Sequence, residues 1–147
     1  GHQAVGEALK KMWQKNLGIE VELSNMEWTV FQKYRKTTDA EVSRQGWIGD
    51  YTDPATFFDL LTSTAGTNDG HYNNPMYDEL VVAARTEKDP AVRMQKYHQA
   101  EEILMNDMGV IPIVYYADDV LSQTYFTGFG VTGTALKMFW DAVKAEH

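Results

Sequence analysis

The stretch "SRQGWIGDYTDPATFF", residues 43–58, gathers one arginine, two glycines, aromatic residues and two aspartates between a strand-like and a helix-like segment. Two chemistries fit those types. Asp50 and Asp53 stand close enough in sequence to suggest the paired carboxylates of a glycoside hydrolase, in which two acids flank one scissile bond. Asp53-Pro54, however, also matches the cap and first position of a helix, which would commit one of the pair to structure. The second chemistry is peptide capture. An extended strand offers alternating N–H and C=O groups to another backbone whatever its side chains, and Gly46 lets that backbone approach closely. Asp50 would hold an α-ammonium, and Arg44 or Arg35 an α-carboxylate. Arg44 and Asp50 lie at most roughly 20 Å apart along an extended chain, enough for a short peptide. The plain alternative remains open at this level: Arg44 pairs with a surface acid and Asp50 closes a turn.

Other chemistries lack a pattern. His2, His71, His98 and His147 are too dispersed for a local metal box, and no HExxH, Gly-x-Ser-x-Gly, P-loop or dinucleotide fingerprint occurs, so neither a metal, a cofactor nor a catalytic residue is expected. With no cysteine there is no disulfide and no thiolate zinc site. Lys+Arg 13 against Asp+Glu 21 gives a formal charge of −8, which sets most of the surface against a nucleic-acid backbone. No apolar run approaches the roughly 18 to 20 residues of a membrane-crossing helix. The 147 residues, 44% of them hydrophobic, suffice for one domain with a core.

The positioning elements follow from periodicity. From Gln3 the chain is already in helical register, with Val5, Leu9, Met12 and Trp13 on one stripe and Gly18 as the stop; so abrupt a start carries the expectation of further chain before it. "IEVELSN" alternates as a strand, "EWTVFQKYRK" returns to helical spacing, and "EVSRQGWI" reads as a second strand. Helix, strand, helix, strand predicts an α/β fold with parallel strands covered on both faces. "ATFFDLLT" predicts a short helix and residues 63–74 a long polar loop. Asn74-Pro75 and Asp89-Pro90 each open a helix, the second reaching about Gly109, and the two form an antiparallel hairpin. "VIPIVYYA" and "VLSQTYF" read as strands, and residues 133–147 are ambiguous between strand and helix. Of the aromatic residues near the opening stretch and the later strands, only Trp47 is singled out for a ligand; Tyr51, Phe57, Phe58, Tyr72, Tyr115 and Tyr116 are expected in the core more often than at a site.

"KKMWQKNLGIEVELSNMEWTVFQKYRK", "GWIGDYTDPATFFDLLTS", "HYNNPMYDELVVAA" and "VIPIVYYADDVLSQTY", in this order, resemble the C-terminal part of the oligopeptide-binding proteins, the family 5 extracellular solute-binding components of ABC importers. The resemblance implies a two-lobed clamp of the type II periplasmic-binding-protein kind, with a parallel or mixed sheet flanked by helices. Residues 1–147 would then be a single domain, part of the C-terminal lobe, with the rest of the parent absent. It further implies that Asp50 meets the peptide's α-ammonium, that Gly46 and Trp47 pair with its main chain, and that Arg35, Arg44 and His2 are the cationic positions for its carboxylate. Their joint presence favours oligopeptides over dipeptides, haem or nickel, with a relative specialised for dipeptides or a cell-wall peptide as the alternative. Gln45, where a small residue is commoner, and Ile48 depart from the family pattern without removing a charge. The implied partners are short peptides and the permease subunits, with membrane contact only through permease or anchor, in a periplasmic or extracellular setting. A lone lobe is expected to bind peptide weakly and to self-associate through its exposed wall.

Overall fold

The computed structural model describes residues 1–37, 39, 41–117, 121, 123, 125–127, 130–131, 137–138 and 143–144. They divide into two compact units, Gly1–Glu41 and Val42–His147.

In the first unit, α1 (His2–Leu17) ends where Gly18 takes the left-handed conformation, φ 68°, and returns its N–H to the carbonyl of Gln14. α2 (Trp28–Tyr34) starts at Glu27, whose carboxylate accepts the N–H groups of Thr29 and Val30 at 2.8 and 3.1 Å. Those amides hold the Glu27 carboxyl below its ordinary range. None of the described residues in this unit is buried.

The second unit has a core. After the short α3 (Ala55–Phe58) and a 3₁₀ turn (Asp59–Leu61), the chain forms α4 (Pro75–Thr86) and α5 (Pro90–Asn106), which pack on each other. Asn74 and Asp89 cap them as their Asx-Pro steps predict: Asn74 Oδ1 accepts from Met76 at 3.0 Å, and Asp89 Oδ1 from Ala91 at 2.8 Å. Tyr77, Val81 and Ala84 on α4 meet Tyr97, Ala100 and Leu104 on α5, all buried. Aromatic rings close the top of this seam. Phe58 lies 4.8 Å from Tyr97 and 6.4 Å from Tyr77 between ring centroids, and Tyr72 meets Tyr77 edge-on at 5.4 Å. The Tyr77 hydroxyl donates to the carbonyl of Phe58 at 2.7 Å, so the polar tip of a buried ring is satisfied.

Helix α5 stops at Asn106 through two backbone bonds, Met108 N–H to Met105 O and Gly109 N–H to Leu104 O, with Met108 left-handed at φ 52°. Gly109 is required sterically, because a Cβ there would lie 2.6 Å from a ring carbon of Tyr72. The polar loop 63–74 is ordered around Asn68, a buried side chain that donates to the carbonyls of Thr62 and Tyr72 and accepts the N–H of Tyr72. Tyr72 in turn donates to Asp107 at 2.8 Å; burial and that carboxylate push its hydroxyl up to about 12.

The sheet expected from the alternating segments does not form among the described residues. Residues 19–25, 41–48 and 110–117 carry no strand pairing, and most of their apolar positions are exposed, Ile48 at 65%, while Val21 and Val110 are partly buried. The physical reason is that alternation selects a face, whereas a strand exists only when a neighbour completes its ladder. The pairs that do occur are antiparallel and two residues long: β1 (Phe126–Thr127) with β4 (Val143–Lys144), and β2 (Gly130–Val131) with β3 (Lys137–Met138). The rest of the ambiguous stretch 133–147 lies outside the described residues, as do residues 120, 122 and 124 of the expected strand 120–126.

Candidate peptide-binding site

The six residues singled out from the sequence fall in both units. His2, exposed at the start of α1, and Arg35, half-buried at the end of α2, belong to the first. Arg44, Gly46, Trp47 and Asp50 belong to the second, along one extended run.

That run is bare of its own backbone bonding. Among the described residues, no backbone–backbone hydrogen bond involves residues 42–49, and Val42, Arg44, Trp47 and Ile48 are all exposed. Arg44 donates to the hydroxyl of Tyr116, which ties residues 42–49 to the second bare extended run, 110–117. Gly46 sits inside this contact: a Cβ on it would lie 3.1 Å from the Arg44 guanidinium and 3.4 Å from the Tyr116 ring. Trp47 stands 37% exposed. Tyr115 and Tyr116, expected in the core, are exposed, and so are Tyr51 and Phe57, whereas Phe58 and Tyr72 pack against the core.

Beyond the run the chain tightens. The N–H of Asp50 donates to Thr56 Oγ1 at 3.0 Å, and that hydroxyl faces Asp50 Oδ2 at 3.4 Å. Thr56 is buried, so the turn is fixed on α3 while the Asp50 side chain stays exposed, with no lysine or arginine paired to it among the described residues. Gly49 permits this closeness, since a Cβ there would lie 3.2 Å from both Thr56 and Phe57.

Asp53 has a different fate. Its Oδ1 accepts the N–H of Ala55 at 2.9 Å, the helix-start role its position before Pro54 predicts. Both its oxygens also receive the Arg93 guanidinium, each at 2.6 Å. Arg93 holds the Asp53 carboxyl below the usual carboxylate range. Sequence reading missed Arg93 and Thr56. The spacing of Arg93 four residues before Tyr97 was a usable signal that this arginine lies over a ring on its own helix, 5.2 Å from the centroid.

No group of three or more metal-ligating side chains gathers among the described residues, and none of their helices is long and apolar enough to cross a membrane.

Residues 1–69 match the family model of bacterial extracellular solute-binding proteins, family 5 Middle. The chain is 39% identical over 130 residues, 88% of its length, to the periplasmic murein peptide-binding protein MppA of Escherichia coli strain K12. It is 34% identical over 142 residues to the oligopeptide-binding protein OppA of Bacillus subtilis strain 168. It spans about a quarter of the length of these relatives, 24% and 26%. The solved structure of the Escherichia coli murein tripeptide binding protein MppA superposes with a TM-score of 0.84 at 35% identity, covering 99% of this chain and 29% of that one. By the matched model over residues 1–69 and by these likenesses, the chain is similar to the bacterial extracellular solute-binding proteins of family 5.

Proposed function

We propose that this chain supplies one wall of the peptide cleft of an ABC importer's solute-binding component, as part of its C-terminal lobe, and captures short oligopeptides without catalysis. The observation that carries this reading is the run 42–49, whose backbone groups have no backbone partner among the described residues and which carries a cation at Arg44 and is followed by a carboxylate at Asp50. Gly46 and Trp47 pair with the peptide main chain, Asp50 meets its α-ammonium, and Arg44, Arg35 and His2 serve its carboxylate. The names of the relatives, peptide-binding and in part periplasmic, support the ligand class and a periplasmic or extracellular setting; permease subunits are the partners that an importer's binding component would have. A hydrolase built on Asp50 and Asp53 is disfavoured physically. Asp53 has both oxygens on the Arg93 guanidinium and Oδ1 also on the N–H of Ala55, so its carboxylate is engaged within the fold rather than turned to a second acid across a scissile bond.

The test is calorimetry on the intact protein with one tripeptide in free and N-acetylated forms. Asp50→Asn is expected to weaken the free peptide at least tenfold, within the roughly 2 to 5 kcal/mol that a buried hydrogen-bonded charge pair loses on truncation. The acetylated peptide should bind the unmutated protein poorly and change little on mutation. Equal weakening of both forms, or of neither, would leave Asp50 a turn residue and sink the reading.

One observation favours a second ligand: the 39%-identical relative is a murein peptide-binding protein. Competition between a murein tripeptide and an ordinary tripeptide or longer peptide separates the two. Affinity that survives lengthening supports the oligopeptide reading.

A further inference from the structure

The α4–α5 hairpin meets the turn that carries Asp50 through the packing of Ala84 and Tyr97 with Ala55 and through one ion pair, Arg93–Asp53. Arg93, on the first turn of α5, directs Nε to the carbonyl of Ala84 at 3.1 Å, which seats it against the end of α4. Its plane lies over the Tyr97 ring, and Nη2 also meets the Tyr97 hydroxyl at 3.3 Å. The rest of the fork is spent on Asp53, one nitrogen to each oxygen. A guanidinium held at Nε, over its face and by two parallel bonds has little rotational freedom left, and a carboxylate gripped at both oxygens inherits that rigidity.

From Asp53 the constraint passes to Asp50 in two short steps. Asp53 accepts the N–H of Ala55 through Oδ1 and the N–H of Thr56 through its own carbonyl, fixing the start of α3. Thr56 then accepts the N–H of Asp50 and faces its Oδ2. Arg93 is a quarter exposed and stands 40 residues along the chain from Asp53, so this ion pair, unlike a local cap, ties the turn to the core.

We propose that Arg93 is a positioning residue for peptide capture: through Asp53 it fixes the turn 50–55 and so presets the Asp50 carboxylate that receives the ligand's amine. The inference rests on the proposed role of Asp50. A positioning residue differs from a merely stabilising one in what its loss does to selectivity. Loosening the turn weakens the interaction that depends on the Asp50 position, so the preference for a free amine over an acetylated one should shrink even in a fully folded protein.

A built-in control exists. Arg85 on α4 pairs with Asp59 of the 3₁₀ turn at 2.8 Å, a second arginine–carboxylate link between the hairpin and the α3 region, but away from the turn 50–55.

The experiment measures affinities of one tripeptide, free and N-acetylated, for the intact protein and its Asp50→Asn, Arg93→Gln, Arg93→Lys and Arg85→Gln variants, with thermal melts to confirm folding. Arg93→Gln should compress the free-over-acetylated preference by about threefold or more, as expected for groups in one hydrogen-bond network. Arg85→Gln should leave the preference intact. In the double variant with Asp50→Asn, Arg93→Gln should add nothing to the loss of preference. If Arg93→Gln does not fold, Arg93→Lys, which keeps the charge and loses the fork, must show the same compression. A preference that Asp50→Asn abolishes and neither Arg93 variant alters overturns the positioning role and leaves the amine-binding role standing. A preference that Asp50→Asn itself does not alter overturns both.

Discussion

Two parts of the second unit show opposite ways of using apolar side chains. In the α4–α5 hairpin, Tyr77, Val81, Ala84, Tyr97 and Ala100 are buried on one another, each helix is capped by its own Asx side chain, and buried polar tips such as the Tyr77 hydroxyl have partners. In the run 42–49, Val42 and Ile48 are 70% and 65% exposed and no backbone group is paired to another among the described residues. The hairpin completes its own contacts. The run needs a second backbone from elsewhere, and in the proposed function that backbone is the ligand's. Here the stable element and the proposed binding element are separate, joined by the Arg93–Asp53 pair and by Ala55, which packs with Ala84 and Tyr97.

If that division is right, substitutions should rank by which part they touch. Tyr77→Ala removes a fully buried ring from the centre of the seam and should cost about 4 kcal/mol in urea unfolding, the scale of large-to-small aromatic truncations in cores. A loss under about 1 kcal/mol would mean the hairpin is not the stable element.

Arg93→Gln comes next. It breaks a charge-assisted pair that is only a quarter exposed, and should cost about 2 kcal/mol at neutral pH. The pH dependence has a definite sign. Asp53 is held below its ordinary value by Arg93, so the pair's contribution is present above the unfolded carboxylate pKa of about 3.9 and is lost as pH falls through the lower folded value. Unfolding curves of parent and variant should therefore converge in acid below about pH 4, and a gap that stays constant there would assign the effect to packing.

A gain is expected at Met108. This residue closes α5 in the left-handed region at φ 52°, where a side chain is disfavoured by roughly 1 kcal/mol, so Met108→Gly should raise stability by about that amount. Thermal unfolding checks it, and a destabilised variant would show that the exposed methionine side chain contributes more than the backbone relief. The smallest effect belongs to the run itself. Ile48→Ser, at an exposed position with no packing partner to lose, should change the chain's stability by less than about 0.5 kcal/mol. A larger loss would bring the run into the folded core and break the contrast.

How much of this was legible in the sequence depends on whether the determining contacts are local. The Asn74-Pro75 and Asp89-Pro90 steps announced both long helices, because a cap and the residues it satisfies are two or three positions apart. Tyr77, Val81 and Ala84, buried on α4, recur at helical spacing and are legible for the same reason. The strands expected at 19–25, 41–48 and 110–117 have no ladder among the described residues, since alternation is local but the ladder that makes a strand is not. Composition marked residues 63–74 as a polar loop, and nothing local showed that Asn68 would be buried with its amide fully used. Asp50 and Asp53 looked alike from the sequence. What separates them is Arg93, and no spacing rule selects that acid for that arginine across 40 positions.

The central claim is that the main chain of the run 43–49 receives a peptide's main chain, and amide hydrogen exchange on the intact protein tests it most directly. With saturating tripeptide, amides in this run should exchange more slowly than without it, while those of α4 and α5 stay as they were, already protected by their own helices. Exchange in the run that is the same with and without bound peptide would contradict the claim, whatever the affinity.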